Sequence, residues 1–215
     1  MRLFIAIAPP PEALDELDAL TAPLRAARDD LRWTSREAWH VTLAFLGEVH
    51  ESALPGLLPR LERAARLHHD FCLAIAGAGA FPTERKANVL WGGLSGDRRS
   101  LANLAASVTA GASRAGATPP DKGRRFEPHL TLARCRLPAD VSGIVAALAS
   151  YQGPAWHADR IHLVCSQLPG TAGPDRAEAA GPGRPGPRPR YTTVAWWPLC
   201  GQEPAAETAE VRRTG

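Results

Sequence analysis

The sequence lacks the features that mark membrane and exported proteins. No stretch of its 215 residues approaches the roughly 20 consecutive apolar residues that are needed to cross a bilayer. The opening residues, MRLFIAIAPPPEALDEL, contain only a short apolar run, and the prolines and acidic residues that follow do not fit a signal peptide. We therefore expect a cytoplasmic protein that contacts no membrane.

Paired cysteines, glycine-rich nucleotide motifs and strong charge are also missing. The cysteines form no C-x-x-C pair, which argues against a cysteine zinc site or a thioredoxin-like motif, and we expect four isolated core thiols. AGAGAF, residues 76–81, lacks a complete G-x-G-x-x-G, which argues against a dinucleotide site. The net charge of +3 is too mild to indicate a nucleic-acid partner by itself.

Hydrophobic periodicity divides the chain into strands and helices. We expect strands over residues 2–8, 31–34, 38–49, 71–81, 88–94, 126–137, 155–168 and 191–199, and helices over 11–28, 52–68, 98–115 and 141–150. The two halves of the chain have similar content. This pattern predicts a pseudo-duplicated pair of lobes, within one domain over residues 1–200, rather than a doubly wound parallel sheet.

Two segments break the pattern. Residues 169–190 are dominated by Pro, Gly, Ala and Arg and have no apolar period, so we expect a mobile surface loop inserted in the domain. Four arginines in this segment leave a nucleic-acid-binding arm as an alternative. Residues 201–215 are polar, and we expect a disordered tail.

One tetrad, His-x-Thr-Leu, occurs twice, at residues 40–43 and at residues 129–132, each time in a strand-like run. Two tetrads with an apolar fourth residue are expected in roughly 2% of shuffled chains, if matches are independent. Side chains alternate along a strand, so each histidine shares a face with the threonine two residues later. On regular strands the other face would hold the apolar neighbours, namely Trp39, Val41, Leu43 and Phe45 in the first copy and Leu130 and Leu132 in the second.

The tetrads suit proton transfer at a phosphodiester. If the two strands lie side by side, two imidazoles and two hydroxyls face one cleft. One neutral imidazole can take a proton from a nucleophile while a protonated one gives a proton to the leaving oxygen. The hydroxyls of Thr42 and Thr131 can hold the non-bridging oxygens. The alternatives are two hydrogen-bonded core histidines, or a metal site that joins His40, His129 and a further histidine.

Around these tetrads the sequence resembles the 2H phosphoesterase family, and within it the RNA 2′,3′-cyclic phosphodiesterases once called 2′-5′ RNA ligases. The likeness covers RLFIAIAPP, RWTSREAWHVTLAFLGEV, GAFPTERKANVLWGGL, FEPHLTLARCR, IHLVCSQL and YTTVAWWPL, which is almost the whole chain to about residue 200. The resemblance implies a bilobal α+β fold, in which two mainly antiparallel sheets flank a central cleft and the helices lie outside.

The resemblance also implies a reaction and a role for five residues. It implies metal-independent hydrolysis of RNA 2′,3′-cyclic phosphate ends to 2′-phosphomonoesters, with no cofactor. His40 would be the proton donor and His129 the proton acceptor, while Thr42, Thr131 and Arg134 would bind the phosphate. Strand alternation conflicts with Arg134, since it lies an odd number of residues after His129 and would point away from the cleft unless a bulge or strand end intervenes.

Several alternatives remain open at this point. The same acid and base would serve a 2′-5′ phosphodiesterase or a reversible 2′-5′ RNA ligase, and a non-catalytic nucleotide-binding module could keep the same cleft. Phe81 and Trp91 lie in family-like segments, where we expect core packing rather than base stacking. We expect a monomer whose partner is an RNA or oligonucleotide that ends in a 2′,3′-cyclic phosphate.

Overall fold

The computed structural model describes residues 1–117, 126–167 and 189–200. Residues 118–125 lie outside the described residues. So do nearly all of the predicted mobile loop at residues 169–190, with its possible nucleic-acid-binding arm, and the predicted tail at residues 201–215.

The elements follow the predicted order. The strands are β1 Arg2–Ile7, β2 Leu31–Trp33, β3 Val41–Glu48, β4 Phe71–Phe81, β5 Ala87–Gly96, β6 Leu130–Ala139, β7 Trp156–Ala158, β8 Arg160–Gln167 and β9 Arg190–Pro198. The helices are α1 Pro11–Ala27, α2 Leu54–Arg66, α3 Arg98–Arg114 and α4 Ser142–Leu148. One prediction was wrong: the expected single strand over residues 155–168 is divided at Asp159 into β7 and β8.

The strands form a nine-stranded sheet in the order β7-β4-β5-β6-β3-β1-β8-β9, with β2 paired to β6. All pairings between these strands are antiparallel. The sheet has two halves that meet between β3 and β6, where the only register pair among the described strands is Val41 with Leu130. The predicted α+β architecture of two antiparallel sheets is confirmed, and the two sheets are joined at this pair.

The two lobes do not correspond to the two halves of the chain. The first lobe contains β3, β1, β8 and β9, so it combines strands from both ends of the chain, and the second contains β7, β4, β5, β6 and β2. Strands β7 and β8 are consecutive in sequence but pair in different lobes, β7 with β4 and β8 with β1. This change of lobe explains why the predicted single strand is divided.

The sheet has a helix-covered face and an opposite face, which we call the cleft face. In β1, Leu3, Ile5 and Ile7 belong to the large buried cluster that includes residues of all four helices. Phe4 and Ala6 alternate with them and form a separate small cluster with Val164. The cleft face therefore has an apolar floor of its own.

The cysteines do not lie where the sequence suggested. Cys72 and Cys200 are exposed, Cys135 and Cys165 are half-buried, and all four thiols are free. The expectation of core thiols was wrong for Cys72 and Cys200, which are exposed, while Cys135 and Cys165 pack against the large buried cluster only as half-buried side chains. Among the described residues, no helix is long and apolar enough to span a membrane.

Candidate active site

The two His-x-Thr motifs meet where the lobes join. His40 and His129 each occupy the position immediately before a strand, β3 and β6 respectively. The next residues, Val41 and Leu130, are the register partners that connect the lobes. The two motif strands lie side by side, which is the condition that the shared cleft required. The prediction that each histidine lies within its strand was wrong, because β3 begins at Val41 and β6 at Leu130.

Each histidine bonds to the backbone carbonyl two residues before it. The Nδ1 atom of His129 lies 2.7 Å from the carbonyl oxygen of Glu127, and His40 bonds to the backbone of Ala38. An imidazole that donates from Nδ1 leaves Nε2 as the proton acceptor in its neutral form. The carbonyl of Glu127 therefore holds the His129 ring in a tautomer suited to a general base.

Ion pairs connect the segments around Ala38 and Glu127, whose carbonyls bond to the motif histidines, to helices. Arg98, the first residue of α3, binds the Glu127 carboxylate with a distance of 3.2 Å from Nη2 to Oε1. Arg36, two residues before Ala38, binds Asp15 of α1 with a distance of 2.7 Å from Nε to Oδ1. The segment before each motif histidine is thus linked to a helix by an ion pair, in which it supplies the carboxylate in the second lobe and the arginine in the first.

Aromatic rings pack against His40 in the first lobe. The Phe4 ring stacks on His40, with 4.6 Å between the ring centroids and 27° between the planes. The Tyr191 ring meets His40 edge-on at 5.4 Å. The sequence analysis predicted a role for neither residue. Tyr191 lies far from the motif along the chain, so no local sequence pattern links it to His40.

A second aromatic pair packs against His129. The Phe81 ring meets His129 edge-on at 5.1 Å, and the Trp91 ring lies 6.2 Å from it. Trp91 lies flat against Gly79 of the neighbouring strand β4, where an added Cβ would collide with the indole. Trp91 also lines an open groove of about 630 Å³, together with Ala78, Gly79, Ala80, Pro82, Thr83, Glu84 and Arg85. Both rings therefore shape the site instead of packing only in the core.

A bulge follows the threonine in both motifs. In β3, Thr42 pairs with Ala6 and Ala44 with Ile5, so Leu43 is an extra residue. In β6, Thr131 pairs with Trp91 and Ala133 with Leu90, so Leu132 is the extra residue there. Each bulge reverses the alternation of side chains beyond it.

The bulges turn Phe45 and Arg134 to the cleft face. Both side chains are exposed, while the two residues before each of them are buried. The prediction that Phe45 points away from the cleft was wrong because it assumed a regular strand. Arg134 escapes the alternation conflict for the same reason, and its charge acts on both His40 and His129. The lobes thus offer an arginine on one side and a phenylalanine at the matching position on the other.

Both imidazoles favour the neutral form. Burial lowers the pKa of His40 from its usual 6.5 to about 4, against the hydrogen bond to Ala38, and the charges of His129 and Arg134 lower it further. Burial also lowers the pKa of His129, helped by the Arg134 charge and opposed by the bond to Glu127. Near neutral pH, both rings in the free site are therefore neutral.

A protein ligand set for a metal is not evident in the part of the chain that the structure describes. There, no group of three or more His, Cys, Asp or Glu side chains converges closely enough to hold a metal ion.

The LigT like Phosphoesterase family model matches two segments of the chain, residues 7–91 and 94–172. Each segment contains one of the two motifs. The chain belongs to this LigT-like phosphoesterase family. The predicted resemblance to 2H phosphoesterases is confirmed.

Similar LigT-like proteins include two named RNA 2′,3′-cyclic phosphodiesterase. The one from Thermus thermophilus is 34% identical over 146 residues, which cover 65% of this chain and 71% of the relative. The one from Aquifex aeolicus is 30% identical over 105 residues, and the chain spans about half the length of that relative (55%, with 49% of this chain aligned).

Solved LigT-like structures share the fold over nearly the whole chain. The crystal structure of TT0787 of Thermus thermophilus is 29% identical with a TM-score of 0.70, and the match covers 94% of this chain and all of that one (100%). The crystal structure of E. coli LigT complexed with 3′-AMP is 26% identical with a TM-score of 0.66, over 93% of this chain and 98% of LigT.

Proposed function

We propose that this protein hydrolyses RNA 2′,3′-cyclic phosphate ends to 2′-phosphomonoesters without a metal ion. The observation that carries the proposal is the pair of His-x-Thr motifs at the junction of the lobes, each with its histidine bonded to a backbone carbonyl and its threonine on the cleft face. The names of the two relatives and the nucleotide bound in the LigT complex support an RNA or nucleotide substrate.

In the proposed mechanism His129 is the general base. Its Nε2 takes a proton from water while the water oxygen forms a bond to phosphorus. The bond from phosphorus to O3′ breaks, and His40 gives its proton to that leaving oxygen, so the phosphate stays on O2′. The hydroxyls of Thr42 and Thr131 donate to the non-bridging oxygens, and Arg134 offsets the charge that develops there.

The low pKa of His40 sets a condition on its role as the acid. In the free site the ring is neutral near pH 7, because its pKa is about 4. A bound cyclic phosphate places a negative charge beside the ring, and such a charge raises the pKa of an imidazole. The substrate would thus help to protonate its own general acid.

The test is turnover of an RNA that ends in a 2′,3′-cyclic phosphate, in the presence of EDTA, with the product identified by phosphorus NMR. Loss of an acid or base typically costs about 10² to 10⁴ in rate, so His40→Ala and His129→Ala should each lose that much. His50→Ala is the matched control, because His50 is exposed and lies outside the motifs. Full activity in either motif variant would contradict the mechanism. Loss of activity in the presence of EDTA would favour a metal enzyme.

Two alternatives use the same site. Cleavage of a 2′-5′ linked oligonucleotide, tested beside the cyclic substrate, would indicate a 2′-5′ phosphodiesterase. Joining of two RNA ends during incubation would indicate a ligase. A non-catalytic binding module would bind the cyclic end and turn over none of these substrates. The proposed function predicts that the cyclic end reacts fastest.

A further inference from the structure

A row of side chains crosses the cleft face of the first lobe, starting from the His40 motif. Thr42 of β3 pairs with Ala6 of β1, Ala6 pairs with His162 of β8, and His162 pairs with Trp196 of β9. Residues that face each other across antiparallel strands point to the same side of the sheet. The row therefore leads from the proposed phosphate site to Trp196.

The spacing of the row places Trp196 beyond the terminal phosphate. Three strand spacings separate Thr42 from Trp196, which amounts to about 14 Å. Between them lie the small side chain of Ala6, only 2% exposed, on the floor of the cleft face, and the half-buried side chain of His162. A phosphate held at Thr42 would thus leave Trp196 free for another part of the same molecule.

Trp196 has the properties of a stacking surface. Its side chain is 41% exposed, although tryptophan is a residue that proteins mostly bury. The Cζ atom of Arg160 lies over the indole, 5.0 Å from the ring centroid. Asp159 binds Nε and Nη2 of Arg160 at 3.1 and 3.0 Å, which holds the guanidinium over the ring and offsets its charge. Stacking, rather than net charge, should therefore dominate binding here.

We propose that Arg160, His162 and Trp196, which we call the Trp196 subsite, bind a nucleotide on the 5′ side of the cyclic phosphate end. Exposed aromatic side chains on which bases stack, beside a groove that holds the backbone, are how proteins bind single-stranded RNA without reading its sequence. The inference rests on the proposed function, because the row begins at the site where the cyclic phosphate would be held.

The test compares two substrates, a 2′,3′-cyclic mononucleotide and a short oligonucleotide that ends in the same cyclic nucleotide. Stacking on an aromatic side chain contributes at least about fivefold to affinity, so Trp196→Ala should lower kcat/KM for the oligonucleotide by that factor or more. The same variant should leave kcat/KM for the mononucleotide unchanged. Trp196→Phe should restore most of the loss, because it keeps an aromatic face.

The controls separate a lost subsite from a damaged fold. Leu67→Ala removes an apolar side chain that is 72% exposed and lies outside the cleft. It should leave kcat/KM unchanged for both substrates. If Trp196→Ala fails to fold, Trp196→Leu replaces it, since leucine keeps apolar surface but has no ring. Equal losses on both substrates, or no loss on either, would overturn the proposal.

Failure of the proposed function would look different. If the wild type turns over neither substrate, that function fails and the subsite is tested by binding of a fluorescently labelled oligonucleotide, followed by anisotropy. Weaker binding by Trp196→Ala would then support the subsite, and equal binding by both proteins would overturn it.

Discussion

The two halves of the site differ most in chemistry at Arg134. It matches Phe45 in position, because each follows its motif threonine by three residues and each is turned to the cleft face by a bulge. A phosphate between the two motifs would therefore meet a positive charge from the second lobe and an apolar ring from the first. This asymmetry is what an otherwise duplicated site needs to bind a substrate in one orientation.

Removal of the Arg134 side chain should lower kcat/KM and raise the pKa values of the two motif histidines. Loss of one donor that stabilises developing charge typically costs about 10² to 10³ in rate, which we expect for kcat/KM of Arg134→Gln. The Arg134 charge lowers the pKa of both His40 and His129, so both pKa values should rise in the variant. The optimum of kcat/KM should then move to higher pH.

The matched control for this prediction is Arg114→Gln, because Arg114 is an exposed arginine at the end of α3. It should leave both the rate and the pH optimum unchanged. A slower Arg134→Gln enzyme with an unmoved optimum would mean that Arg134 supports the fold and does not act on the histidines.

The pH dependence of the wild type follows from the two imidazoles. The mechanism needs one protonated and one neutral ring, and the pKa of each ring in the free enzyme lies below 6.5. The profile of kcat/KM, which reports the free enzyme, should be a bell with its maximum on the acid side of pH 6.5. The bell for kcat should lie at higher pH, because the bound phosphate raises both pKa values. A rate that only rises with pH would contradict the paired roles.

At the scale of elements, close packing between β4 and β5 fixes one wall of the site. Trp91 of β5 contacts His129 and covers Gly79 of β4, where even a Cβ has no room. Gly79→Ala should push the indole toward His129, lower kcat/KM and lower the free energy of unfolding by about 1–3 kcal/mol, which is typical of overpacking.

Denaturant unfolding and steady-state kinetics check this prediction together. Gly143→Ala is the matched control, since a Cβ at Gly143 of α4 would meet no atom within 4 Å. That variant should be as stable as the wild type or more so, because alanine favours a helix. A Gly79→Ala enzyme with normal stability and activity would show that Trp91 is free to move.

The elements also show how far sequence alone could go. Apolar periodicity predicted the helices and most strands, and alternation placed Thr42 and Thr131 beside their histidines. Alternation failed at Phe45, since a one-residue bulge at Leu43 leaves no signature in a run of apolar residues. Tyr191 could not be found because only the pairing of β9 with β8 brings it to His40, and that pairing depends on the whole fold.

At the scale of the whole molecule, the first lobe is built from β1 and β3 together with the late strands β8 and β9. Strands β8 and β9 complete the lobe that begins with β1, and one cluster of buried residues draws on both lobes. We therefore propose that residues 1–200 form a single bilobal domain. All groups of the proposed site come from one chain, so we expect a monomer that is fully active, which size-exclusion chromatography with activity measured across the peak will check.

Acid should destabilise the whole molecule through its buried histidines. Burial lowers the pKa of His40, His68, His129 and His162 below that of an unfolded chain. Between the two values the unfolded state binds more protons, so the free energy of unfolding falls as pH drops from 6.5 and levels off below the folded pKa. For His40, whose folded pKa is about 4, this loss amounts to as much as about 3 kcal/mol.

Substitution of His40 isolates its share of this effect. His40→Gln cannot take up the proton, so its unfolding free energy should fall less than that of the wild type between about pH 6.5 and pH 4. Denaturant unfolding of both proteins across this range measures the difference. Parallel curves would mean that water reaches the His40 ring and that its pKa is not lowered. In that case the free site would hold a protonated His40 up to about pH 6.5 before the substrate binds, and the kcat/KM maximum would move toward neutral pH.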